Sequence, residues 1–490
     1  MSKKLDILLN NVKGEYKVIG NLNVEVFELS IHSSECKNGS AFFAIKGFSV
    51  NGNDFINEAI NNGSVVIFTD IYPTDTNKKV TYVVFDDIVK NAGIIIGNFF
   101  DNPSNKIKVI AVTGTSGKTS TCEIIYNTIK HLGFKTGLMS SFSIRVNDVM
   151  YAPEQTTTNV LNIHKYLNEM VKVGCEYCII EVSSHAIVQH RISGVKLYGS
   201  IFTNISPEHL DYHKTFDEYI LAKQQLFNSL SSEAFVLYNA DDENSCKVVA
   251  KTSAKKYSFS MNSNDADFVA EYHLSENGLS IRFSKPDNLD VCNNNLFSIG
   301  YAYDLLSCFS LCSILGFAKD KTIKYLSLNE CIPGRFQVVK VKDFNVVIDD
   351  AHKTQALEYA LKTIKCIVEK QKKIITVVGC GGNRDKTKRP AMTRVAYDHS
   401  DILILTSDNS RNEKPEDIID DMKAGLTTEE QQNIIVNVDR KKAIEKALQS
   451  ACNGDWVLIA GRGCEPFQEI GDKKIPLSDI NVVNEFSHSL

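Results

Sequence analysis

The chain has 490 residues, enough for about three domains, because single hydrophobic cores seldom grow past roughly 250–300 residues. Its content of 43% hydrophobic and 23% charged residues is typical of a soluble globular protein. A net charge of −5 argues against a nucleic-acid partner and against binding to anionic lipid.

The cellular location is predicted from the N-terminus, the apolar stretches and the cysteines. The first residues, MSKKLDILLNNVKGEY, lack the apolar core and cleavage site of a signal peptide. The stretch FSIGYAYDLLSCFSLCSILGFA is interrupted by Asp304 and predicts a buried helix. Thirteen scattered cysteines, an odd number, indicate a reducing compartment, and Cys175 and Cys178 are predicted to serve packing. We therefore expect a cytoplasmic protein without membrane insertion.

The first segment in chain order, residues 1–104, combines short strand and helix patterns, including SAFFAIKG and NGSVVIFTD. The polar, proline-containing segment DNPSNK (101–106) is predicted to be a linker. It is followed by an apolar strand, a glycine- and threonine-rich turn and an amphipathic helix that ends at Gly133. This strand–loop–helix unit is typical of a parallel sheet covered by helices.

The rest of the chain alternates apolar strands with helical segments, a pattern that favours an α/β fold. Strands are predicted at YCIIEV, LYGSIFTNI and AFVLYN, and a Pro-Gly turn in CIPGRFQVV (331–339) marks a second boundary. Four further strands, FNVVIDDA, KIITVVGC, DILILTSD and DWVLIAG, suffice for a separate doubly wound, Rossmann-like domain. The predicted α/β domains are therefore residues 1–104, 105–332 and 333–490.

The segment VTGTSGKTS (112–120) resembles a phosphate-binding loop, except that Val112 stands where the general pattern has its first glycine. Backbone N–H groups from Gly114 to Lys118 would surround a phosphate at the start of a helix. Lys118 would reach the outer phosphate oxygens, and the Thr119 hydroxyl would hold Mg²⁺. A glycine turn without a ligand has the same local geometry, so the loop alone does not decide between the two.

Two strand ends further along the chain carry potential metal ligands. Glu181 ends the strand YCIIEV, at the edge of the sheet where α/β proteins bind ligands, and its carboxylate can hold a metal. His209, in FTNISPEHLDYH, follows another strand and is either a ligand or an ordinary loop histidine.

A lysine on the buried side of a helix is the third candidate. Thr215 and Glu218 form a capping box, which predicts a helix over TFDEYILAKQQLF. Lys223 follows Tyr219 by four positions and therefore lies on the apolar side of this helix. Because an unpaired buried ammonium group is destabilising, the lysine is either functional or extends along the surface to reach water.

Together, these features resemble the Mur ligase family of ATP-dependent, amide-forming enzymes, and most of all MurE, which adds the third residue of the peptidoglycan stem peptide. The family carries TGTxGKT, with no glycine at the position of Val112. The resemblance runs nearly from end to end. It implies a central ATPase domain between an N-terminal UDP-substrate domain and a C-terminal amino-acid domain. The implied ATP-binding residues are Gly114, Thr115, Ser116, Gly117, Lys118, Thr119, Ser120 and His352.

The resemblance also implies the cofactors and the reaction. ATP and Mg²⁺ are the implied cofactors, and Lys223 would be carbamylated so that it holds a second Mg²⁺ with Glu181 and His209. A substrate carboxylate attacks the γ-phosphate, an acyl phosphate forms, and an amine then displaces phosphate. The implied catalytic residues are Lys118, Lys223, Glu181 and His209. The residues implied to bind the carboxylate substrate, UDP-MurNAc-L-Ala-D-Glu, are Ser33, Thr156, Thr157, Ser183, Gln189 and Arg191.

Two C-terminal segments are candidates for binding the amino acid that is added. GCGGNRDKTKRP (379–390) resembles the family's GCGGDRDKGKRP and supplies cations, although a solvated basic loop would look the same. SDNSRNEKP (407–415) resembles the DNPR sequence of enzymes that add meso-diaminopimelate. The Arg411 guanidinium suits the distal carboxylate, which diaminopimelate carries and lysine lacks, so we expect diaminopimelate as the added amino acid. The alternative is that Arg411 is an ordinary surface arginine. The implied amino-acid-binding residues are Arg384, Asp408, Asn409, Arg411, Gly461 and Glu465.

Four family motifs are altered in this chain. DSR reads HSS (32–34), GKGHE reads GRGCE, DYAHTPDAL reads DDAHKTQAL, and FNVYN reads GYAYD (300–304). Because the recognition loops differ, two alternatives stay open. One is a divergent ligase that joins L-lysine or another amine to this or another carboxylate, and the other is a non-catalytic ATP-binding protein. The presence of Lys223, Glu181 and His209 counts against the second alternative, since a binding module would not need a two-metal site. We expect a monomer whose domains close on binding.

Overall fold

The computed structural model describes residues 2–47, 50–73, 77 and 79–489. These residues form two compact units, Met1–Phe268 with Ser310–Phe317, and Val269–Phe309 with Ala318–Leu490. Both units combine helices with largely parallel sheets, so the predicted α/β class is confirmed. The domain boundaries at residues 104 and 332 stay predictions.

The N-terminal segment of the first unit is a helix-covered sheet. Its elements are β1 (Lys3–Lys4), α1 (Leu5–Leu8), β2 (Tyr16–Ile19), β3 (Glu25–Val26), β4 (Glu28–Ser30), β5 (Ser40–Phe43), α2 (Ile56–Asn61), β6 (Ser64–Thr69), β7 (Thr81–Phe85) and α3 (Ile88–Phe99). The strand order is β2-β7-β6-β5-β4, parallel from β7 to β4. Helix α3 buries its apolar side against this sheet, which explains the nearly continuous apolar runs of β6 and β7.

The predicted linker is a compact turn. Residues 101–106 contain a 3₁₀ helix, Pro103–Asn105, and the Ser104 hydroxyl accepts a hydrogen bond from Lys196 N over 3.0 Å. The chain passes directly from this turn into the next strand.

The central segment of the first unit contains the predicted phosphate loop. Its elements are β8 (Lys108–Thr113), α4 (Lys118–His131), β9 (Thr136–Met139), β10 (Ile144–Val146), β11 (Val149–Tyr151), α5 (Val160–Lys172), β12 (Tyr177–Glu181), α6 (Ser184–Val188), β13 (Leu197–Phe202), α7 (Leu210–His213), α8 (Phe216–Asn228), β14 (Phe235–Asn239), α9 (Ser245–Val248) and β15 (Lys255–Ser260). The strand order is β11-β10-β9-β12-β8-β13-β14-β15, parallel from β9 to β15. The strands predicted at YCIIEV, LYGSIFTNI and AFVLYN are β12, β13 and β14.

The register of this sheet brings three strand ends together. Glu181, the last residue of β12, pairs with Val112, and Phe202, the last residue of β13, pairs with Thr113 at the end of β8. The loops that follow these strands therefore leave the same edge of the sheet, where α/β proteins bind ligands.

The second unit contains an antiparallel sheet and a doubly wound sheet. Its elements begin at β16 (Phe268–Ser275) and continue with β17 (Gly278–Lys285), β18 (Leu289–Asn293), α10 (Ile299–Ile314), α11 (Lys319–Leu326), β19 (Gln337–Val341), β20 (Phe344–Asp349), α12 (Thr354–Ile367), β21 (Ile374–Val378), α13 (Lys388–Asp398), β22 (Ile402–Leu405), α14 (Pro415–Lys423), β23 (Ile435–Val436), α15 (Arg440–Ser450), β24 (Trp456–Ala460), β25 (Phe467–Ile470), β26 (Lys473–Pro476) and α16 (Asp479–Ser489). The doubly wound sheet has the order β19-β20-β24-β21-β22-β23 and is parallel except for β19. The four strands predicted in this region are β20, β21, β22 and β24.

The longest apolar stretch forms α10, as predicted. In the part of the chain that the structure describes, every helix is too short or too polar to cross a bilayer.

Candidate active site

The predicted phosphate loop connects β8 to α4. Val112, where the general pattern has glycine, is a buried strand residue that pairs with Glu181. At Gly114, a Cβ atom would lie 1.9 Å from Thr203 Oγ1, so the close approach requires glycine. Gly117 has a φ of +81°, a left-handed conformation, and directly precedes α4. The loop therefore turns sharply into a helix N-terminus, where backbone N–H groups can bind phosphate.

Hydrogen bonds to the chain after β13 hold this loop in place. Thr115 N donates to Asn204 O over 2.8 Å, and Ser116 N donates to Asn204 Oδ1 over 2.9 Å. Lys118 Nζ donates to Thr115 O over 2.8 Å, so its ammonium group lies against the loop. Ser120 Oγ donates to a loop carbonyl over 3.0 Å. Asn204 was not among the predicted site residues, although it follows β13, a strand that ends at the same edge of the sheet.

An oxygen-rich cluster lies beside the loop. Thr119 Oγ1 is 2.8 Å from Ser141 Oγ and donates to Glu181 Oε2 over 3.1 Å. Ser141 N also donates to Glu181 Oε2, over 2.9 Å, and Glu181 is buried. Mg²⁺ prefers oxygen ligands, so these three residues fit that ion.

The composition of this cluster limits how a metal could be held. Among the residues that the structure describes, no three His, Cys, Asp or Glu side chains form a group able to hold a metal ion. A magnesium site at Thr119, Ser141 and Glu181 therefore depends on phosphate oxygens to complete its coordination, as is common for Mg²⁺. Ser141 was not among the predicted site residues, although the SSFS segment follows the carboxyl end of β9, at the same edge of the sheet as β12.

A buried carboxylate supports the segment that carries Ser141. Glu123, on α4, accepts hydrogen bonds from Ser140 Oγ and Ser143 Oγ, both over 2.9 Å. Arg145 Nη2 lies 3.2 Å from Glu123 Oε2. Burial raises the pKa of the Glu123 carboxyl, and the arginine opposes that rise. The pair fixes the turn between β9 and β10, and so the position of Ser141.

Lys223 is buried, as the helical pattern predicts, with 1% of its surface exposed. Its Nζ donates to Gly114 O over 2.8 Å and to Thr113 Oγ1 over 3.4 Å. The ammonium group also lies 4.8 Å from the centre of the Tyr219 ring. These contacts place Lys223 against the backbone at the start of the phosphate loop. Its carbamylation stays a prediction.

His209 lies near the same tyrosine. It has a φ of +55°, and 43% of its side chain is exposed. Its Nε2 is 3.1 Å from Glu208 Oε1, and its ring centre is 6.5 Å from that of Tyr219. The Tyr219 hydroxyl is 3.1 Å from Thr115 Oγ1, so this ring links His209, Lys223 and the loop. The sequence analysis treated Tyr219 only as an apolar helix position.

Four residues predicted to bind the UDP substrate form one network. Arg191 donates through Nη1 to Thr157 O over 2.6 Å and through Nη2 to Gln189 Oε1 over 2.7 Å. Thr157 Oγ1 donates to Glu181 O over 2.8 Å and accepts a hydrogen bond from Ser183 N over 3.0 Å. The network therefore joins these residues to β12, the strand that ends at Glu181.

The two other residues predicted to bind this substrate lie outside these hydrogen bonds. Thr156 is half-buried and directly precedes Thr157 in the chain. Ser33 belongs to a 3₁₀ helix of the N-terminal segment, Ser33–Glu35, and its hydroxyl donates to Glu58 Oε2 over 2.7 Å.

In the second unit, the predicted amino-acid site gathers loops that follow β22 and β24. Asn409 Nδ2 donates to Glu465 Oε2 over 2.8 Å. Burial raises the pKa of the Glu465 carboxyl, and the hydrogen bond from Asn409 opposes that rise. At Gly461, a Cβ atom would lie 2.7 Å from Asp408 Oδ2, so the backbone approaches this carboxylate closely. The structure thus brings these four predicted residues together.

Two predicted arginines border the glycine loop after β21. Arg411 Nη1 donates to Gly382 O over 2.9 Å. A Cβ atom at Gly381 would lie 3.2 Å from Arg411 Nη1 and 3.7 Å from Arg384 Cγ. Arg411 Nη1 and Arg384 Cγ therefore both lie beside Gly381.

A buried ion network ties these loops to each other. The Arg389 side chain is fully buried and donates through Nη1 to Glu413 Oε2 over 2.9 Å and to Asp421 Oδ2 over 2.8 Å. Glu413 Oε1 accepts a hydrogen bond from Asn383 N over 2.6 Å. Hydrogen bonds from Arg389 hold the pKa of the Glu413 carboxyl at about 2. The segment is therefore anchored at Arg389 and is not simply a solvated basic loop.

The predicted ATP-binding histidine of the second unit, His352, follows β20. Its Nδ1 lies 2.7 Å from Asp350 O, and its carbonyl oxygen accepts a hydrogen bond from Lys388 Nζ over 2.7 Å. These contacts fix the turn between β20 and α12.

Known proteins resemble this chain along nearly its whole length. Three family profiles match the chain: "Mur ligase family, catalytic domain" at residues 25–106, "Mur ligase middle domain" at 112–308, and "Mur ligase, glutamate ligase domain" at 334–463. The UDP-N-acetylmuramoyl-L-alanyl-D-glutamate–2,6-diaminopimelate ligase of Cytophaga hutchinsonii is 37% identical over 96% of this chain and 97% of its own length. The chain belongs to the Mur ligase family. It is therefore an ATP- and Mg²⁺-dependent ligase that forms an amide bond in peptidoglycan synthesis.

Other Mur ligases extend the comparison. The protein of the same name from Bacteroides fragilis is 36% identical over 98% of this chain and 99% of its own length. A solved structure of a UDP-N-acetylmuramoyl-L-alanyl-D-glutamate–2,6-diaminopimelate ligase matches with a TM-score of 0.71 at 26% identity, covering 100% of this chain and 99% of that one. MurF from Thermotoga maritima in complex with ADP shares the fold, with a TM-score of 0.66 at 19% identity over 94% of this chain and 97% of that one.

One altered Mur ligase motif has a clear structural consequence. Arg462, in GRGCE, is 1% exposed, and its Nη2 donates to Phe467 O over 2.5 Å and to Leu477 O over 3.0 Å. Its Nη1 lies 3.5 Å from Asp479 Oδ1, a carboxylate that also accepts hydrogen bonds from Arg440. The arginine that replaces the family lysine therefore ties both ends of the β25–β26 hairpin to the core of the unit.

A second altered motif concerns Asp350, which stands where the Mur ligase motif has tyrosine. Its carboxylate pairs with Arg335, and Asp350 N donates to Gly334 O over 2.9 Å. The aspartate therefore secures the turn that leads into β19. In the HSS segment, Ser34 takes the position of the family arginine and is exposed.

Proposed function

We propose that this chain joins meso-diaminopimelate to UDP-MurNAc-L-Ala-D-Glu, forming ADP and phosphate from ATP. The observation that carries the proposal is the cluster of Thr119, Ser141 and Glu181 oxygens beside a phosphate loop with a helix N-terminus. The names of the relatives from Cytophaga hutchinsonii and Bacteroides fragilis, both 2,6-diaminopimelate ligases, support the choice of substrates.

In the first step the chain positions ATP against the substrate carboxylate. Bound Mg²⁺ supplies positive charge for the transferred phosphoryl group. Thr119 and Glu181 would hold this ion, while Lys118 and the N–H groups at the start of α4 would bind phosphate oxygens. The substrate carboxylate oxygen forms a bond to the γ-phosphorus as the bond to the ADP oxygen breaks, which leaves an acyl phosphate.

Lys223 serves this step best as a carbamate. Its Nζ would form a bond to the carbon of CO₂ as one C–O π bond breaks, and the ammonium group would release two protons in all, which converts a buried cation into an anion. The contacts at Nζ include a carbonyl oxygen, a hydroxyl and an aromatic face, and the Tyr219 ring lies near His209. The carbamate, Glu181 and His209 would be the residues that hold a second Mg²⁺, which would supply further positive charge to the phosphoryl group.

In the second step the amine nitrogen attacks the acyl carbon, phosphate leaves and the amine loses a proton. The network around Arg191, with Thr156 and Ser33, binds the UDP-linked dipeptide. In the second unit, Arg384 and Arg411 bind the distal carboxylate of diaminopimelate, since guanidinium groups form charge-assisted hydrogen bonds with carboxylates. Asp408, Asn409, Gly461 and Glu465 line the same site.

The proposal also covers the domain boundaries, the cellular location, the oligomeric state and the partners. The positions of the three family matches support domain boundaries near residues 104 and 332. The thirteen cysteines all lie in the described part of the chain as free thiols, which supports a cytoplasmic location. We propose a monomer that binds the UDP-linked dipeptide and the amino acid without a nucleic-acid partner.

A ligation assay tests the proposal. UDP-MurNAc-L-Ala-D-Glu, ATP and Mg²⁺ are incubated with meso-diaminopimelate or L-lysine, and amide product and phosphate release are measured. We expect phosphate release to require both the carboxylate and an amine, and diaminopimelate to be preferred. Arg411→Ala should weaken that preference selectively, while Arg282→Ala, on β17, should not. Equal use of both amines would remove the diaminopimelate assignment, and phosphate release without an amine would indicate a protein that does not ligate.

A further inference from the structure

The β25–β26 hairpin brings a carboxylate to the arginine that is proposed to bind diaminopimelate. Glu469 Oε2 lies 3.1 Å from Arg411 Nε. The side chains are 37% and 26% exposed, so the ion pair faces solvent and can meet a small molecule. Glu469 lies outside every motif that the sequence analysis singled out.

Backbone hydrogen bonds hold this pair together. Arg411 N donates to Glu469 O over 3.1 Å, and Gly471 N donates to Arg411 O over 2.7 Å. Glu469 N donates to Asn409 Oδ1 over 2.8 Å, and the same carboxamide donates to Glu465. The hairpin therefore continues the wall of the amino-acid site, and the position of Glu469 does not depend on its side chain alone.

The Arg411 guanidinium keeps hydrogen-bonding capacity for a substrate. Its Nε faces Glu469, and its Nη1 donates to Gly382 O. Among the contacts of the described residues, its Nη2 has no acceptor. A substrate carboxylate can therefore bind at Nη2 without displacing Glu469.

We propose that Glu469 is a specificity-determining residue that binds the distal ammonium group of the amino acid while Arg411 binds the carboxylate on the same carbon. This inference rests on the proposed function. The distal end of diaminopimelate is a zwitterion, and the ion pair presents the two complementary charges side by side. L-Lysine ends in an ammonium group alone, which Glu469 attracts and Arg411 repels.

A role for Glu469 as a competitor of the substrate predicts the opposite effect on amino-acid binding. If this carboxylate only competes with the substrate for Arg411, its removal should improve binding of every amino acid that carries a distal carboxylate. The two roles are separated by an amino acid that has the distal carboxylate and lacks the distal ammonium group. 2-Aminopimelate is such a compound, and it has the same chain length.

The first experiment compares Glu469→Gln with the unsubstituted enzyme on meso-diaminopimelate and on 2-aminopimelate. Loss of a charge-assisted hydrogen bond should raise KM for diaminopimelate about tenfold and change KM for 2-aminopimelate less than about twofold. Normal activity with 2-aminopimelate also shows that the variant is folded. Glu485→Gln, which removes an exposed carboxylate from α16, is the matched control and should change neither KM. Equal changes with both compounds, or improved binding of both, would overturn the inference.

The second experiment removes the arginine. In Arg411→Ala, Glu469 is left without its guanidinium, so the ratio of kcat/KM for L-lysine to that for diaminopimelate should rise about tenfold. The double variant with Glu469→Gln should lose the gain for lysine, and a gain that persists would contradict the proposal. If the unsubstituted enzyme ligates no amine at all, the proposed function fails, whereas an active enzyme without these selective effects disproves the role of Glu469 alone.

Discussion

The phosphate region of the first unit and the amino-acid region of the second differ in how their functional groups are held. Lys223, Glu181 and Thr119 are 1%, 2% and 7% exposed, and each has hydrogen-bonding partners from other elements. Arg411 and Glu469 keep 26% and 37% of their side chains exposed. A buried polar group that loses its partner is strongly destabilised, whereas an exposed one can turn to water.

The two regions also differ in which family motifs they keep. The loop TGTSGKT matches the family pattern, while GRGCE and SDNSR, which border the amino-acid site, depart from it. The changed residues Arg462 and Ser410 are each 1% exposed, so solvent exposure does not explain these changes. The first region is proposed to act on ATP before the amine reacts, and the second to bind the amine itself. It follows that changes in the first region should affect every amine alike, whereas changes in the second should alter the choice of amine.

The largest effect is expected for Lys223→Ala, which removes the side chain proposed to carry the carbamate. We expect kcat to fall about 10²–10³-fold with every amine, because charge stabilisation in the transition state is lost. A short carboxylate such as acetate should restore part of the activity, and the ¹³C NMR signal of a carbamate, formed from ¹³C-bicarbonate, should disappear. Lys130→Ala, an exposed lysine of α4, is the control. Near-normal turnover of Lys223→Ala would show that this lysine only packs.

Glu181→Gln should lower kcat less than Lys223→Ala does, and the loss should depend on the Mg²⁺ concentration. The amide keeps an acceptor for Thr119 and Ser141 N but removes the negative charge, so kcat should fall about 10²-fold and more Mg²⁺ should be needed for half-maximal rate. The ratio of rates with diaminopimelate and 2-aminopimelate should not change. Glu176→Gln, an exposed residue just before β12, is the control. An unchanged Mg²⁺ titration would contradict the assignment of Glu181.

In the second unit, the Arg389–Glu413 pair should stabilise the fold in a pH-dependent way. Hydrogen bonds from Arg389 hold the pKa of Glu413 at about 2, below its unfolded value, so the stabilisation is complete above the unfolded pKa and is lost as pH falls towards about 2. The free energy of unfolding of the parent protein should exceed that of Glu413→Gln at pH 5. This difference should shrink by about 2 kcal/mol between about pH 5 and pH 3.

The single tryptophan, Trp456, lies in β24, so its fluorescence during urea unfolding reports on this unit. The exposed residue Glu429 provides a control, since Glu429→Gln should show no such dependence. If the free energies of unfolding of the parent and of Glu413→Gln fell by the same amount over this pH range, the assigned ion pair would be contradicted.

The smallest expected effect concerns the start of α8, the helix that carries Lys223. Thr215 Oγ1 accepts a hydrogen bond from Glu218 N over 3.2 Å, so Thr215→Ala should destabilise the first unit by about 1 kcal/mol. For a unit of this size, Tm should fall by about 2–4 °C, with most of the activity retained. Thr215→Ser, which keeps the oxygen, should behave like the parent. A large loss of kcat without a change in Tm would mean that Thr215 acts in the reaction itself.

Much of the candidate site was predictable, because its signals are local. The alternation of apolar runs predicted the strands that end at Thr113 and Glu181, and the glycines predicted the turn into α4. The four-residue spacing from Tyr219 predicted that Lys223 is buried, and the capping box predicted where its helix begins. These features depend on neighbours within a few residues, so helix and strand periodicity is enough to reveal them.

Other site residues became visible only in the tertiary structure. Ser141 is 40 residues from Glu181, and Asn204 is 88 residues from Ser116. Glu469 reaches Arg411 only because the β25–β26 hairpin pairs with the loop after β22. No periodicity relates such distant positions, since their contact depends on which strands are neighbours and in what register they pair.

The amino-acid sequence by itself therefore determined the α/β class, the phosphate loop, the buried lysine and the membership of an ATP-dependent ligase family. These properties follow from residue types and spacings that act along one helix or one strand. The tertiary structure alone decided which hydroxyls join Glu181 and which carboxylate faces Arg411. Hydrogen bonds and ion pairs of this kind act over a few ångströms in space, whatever the distance along the chain.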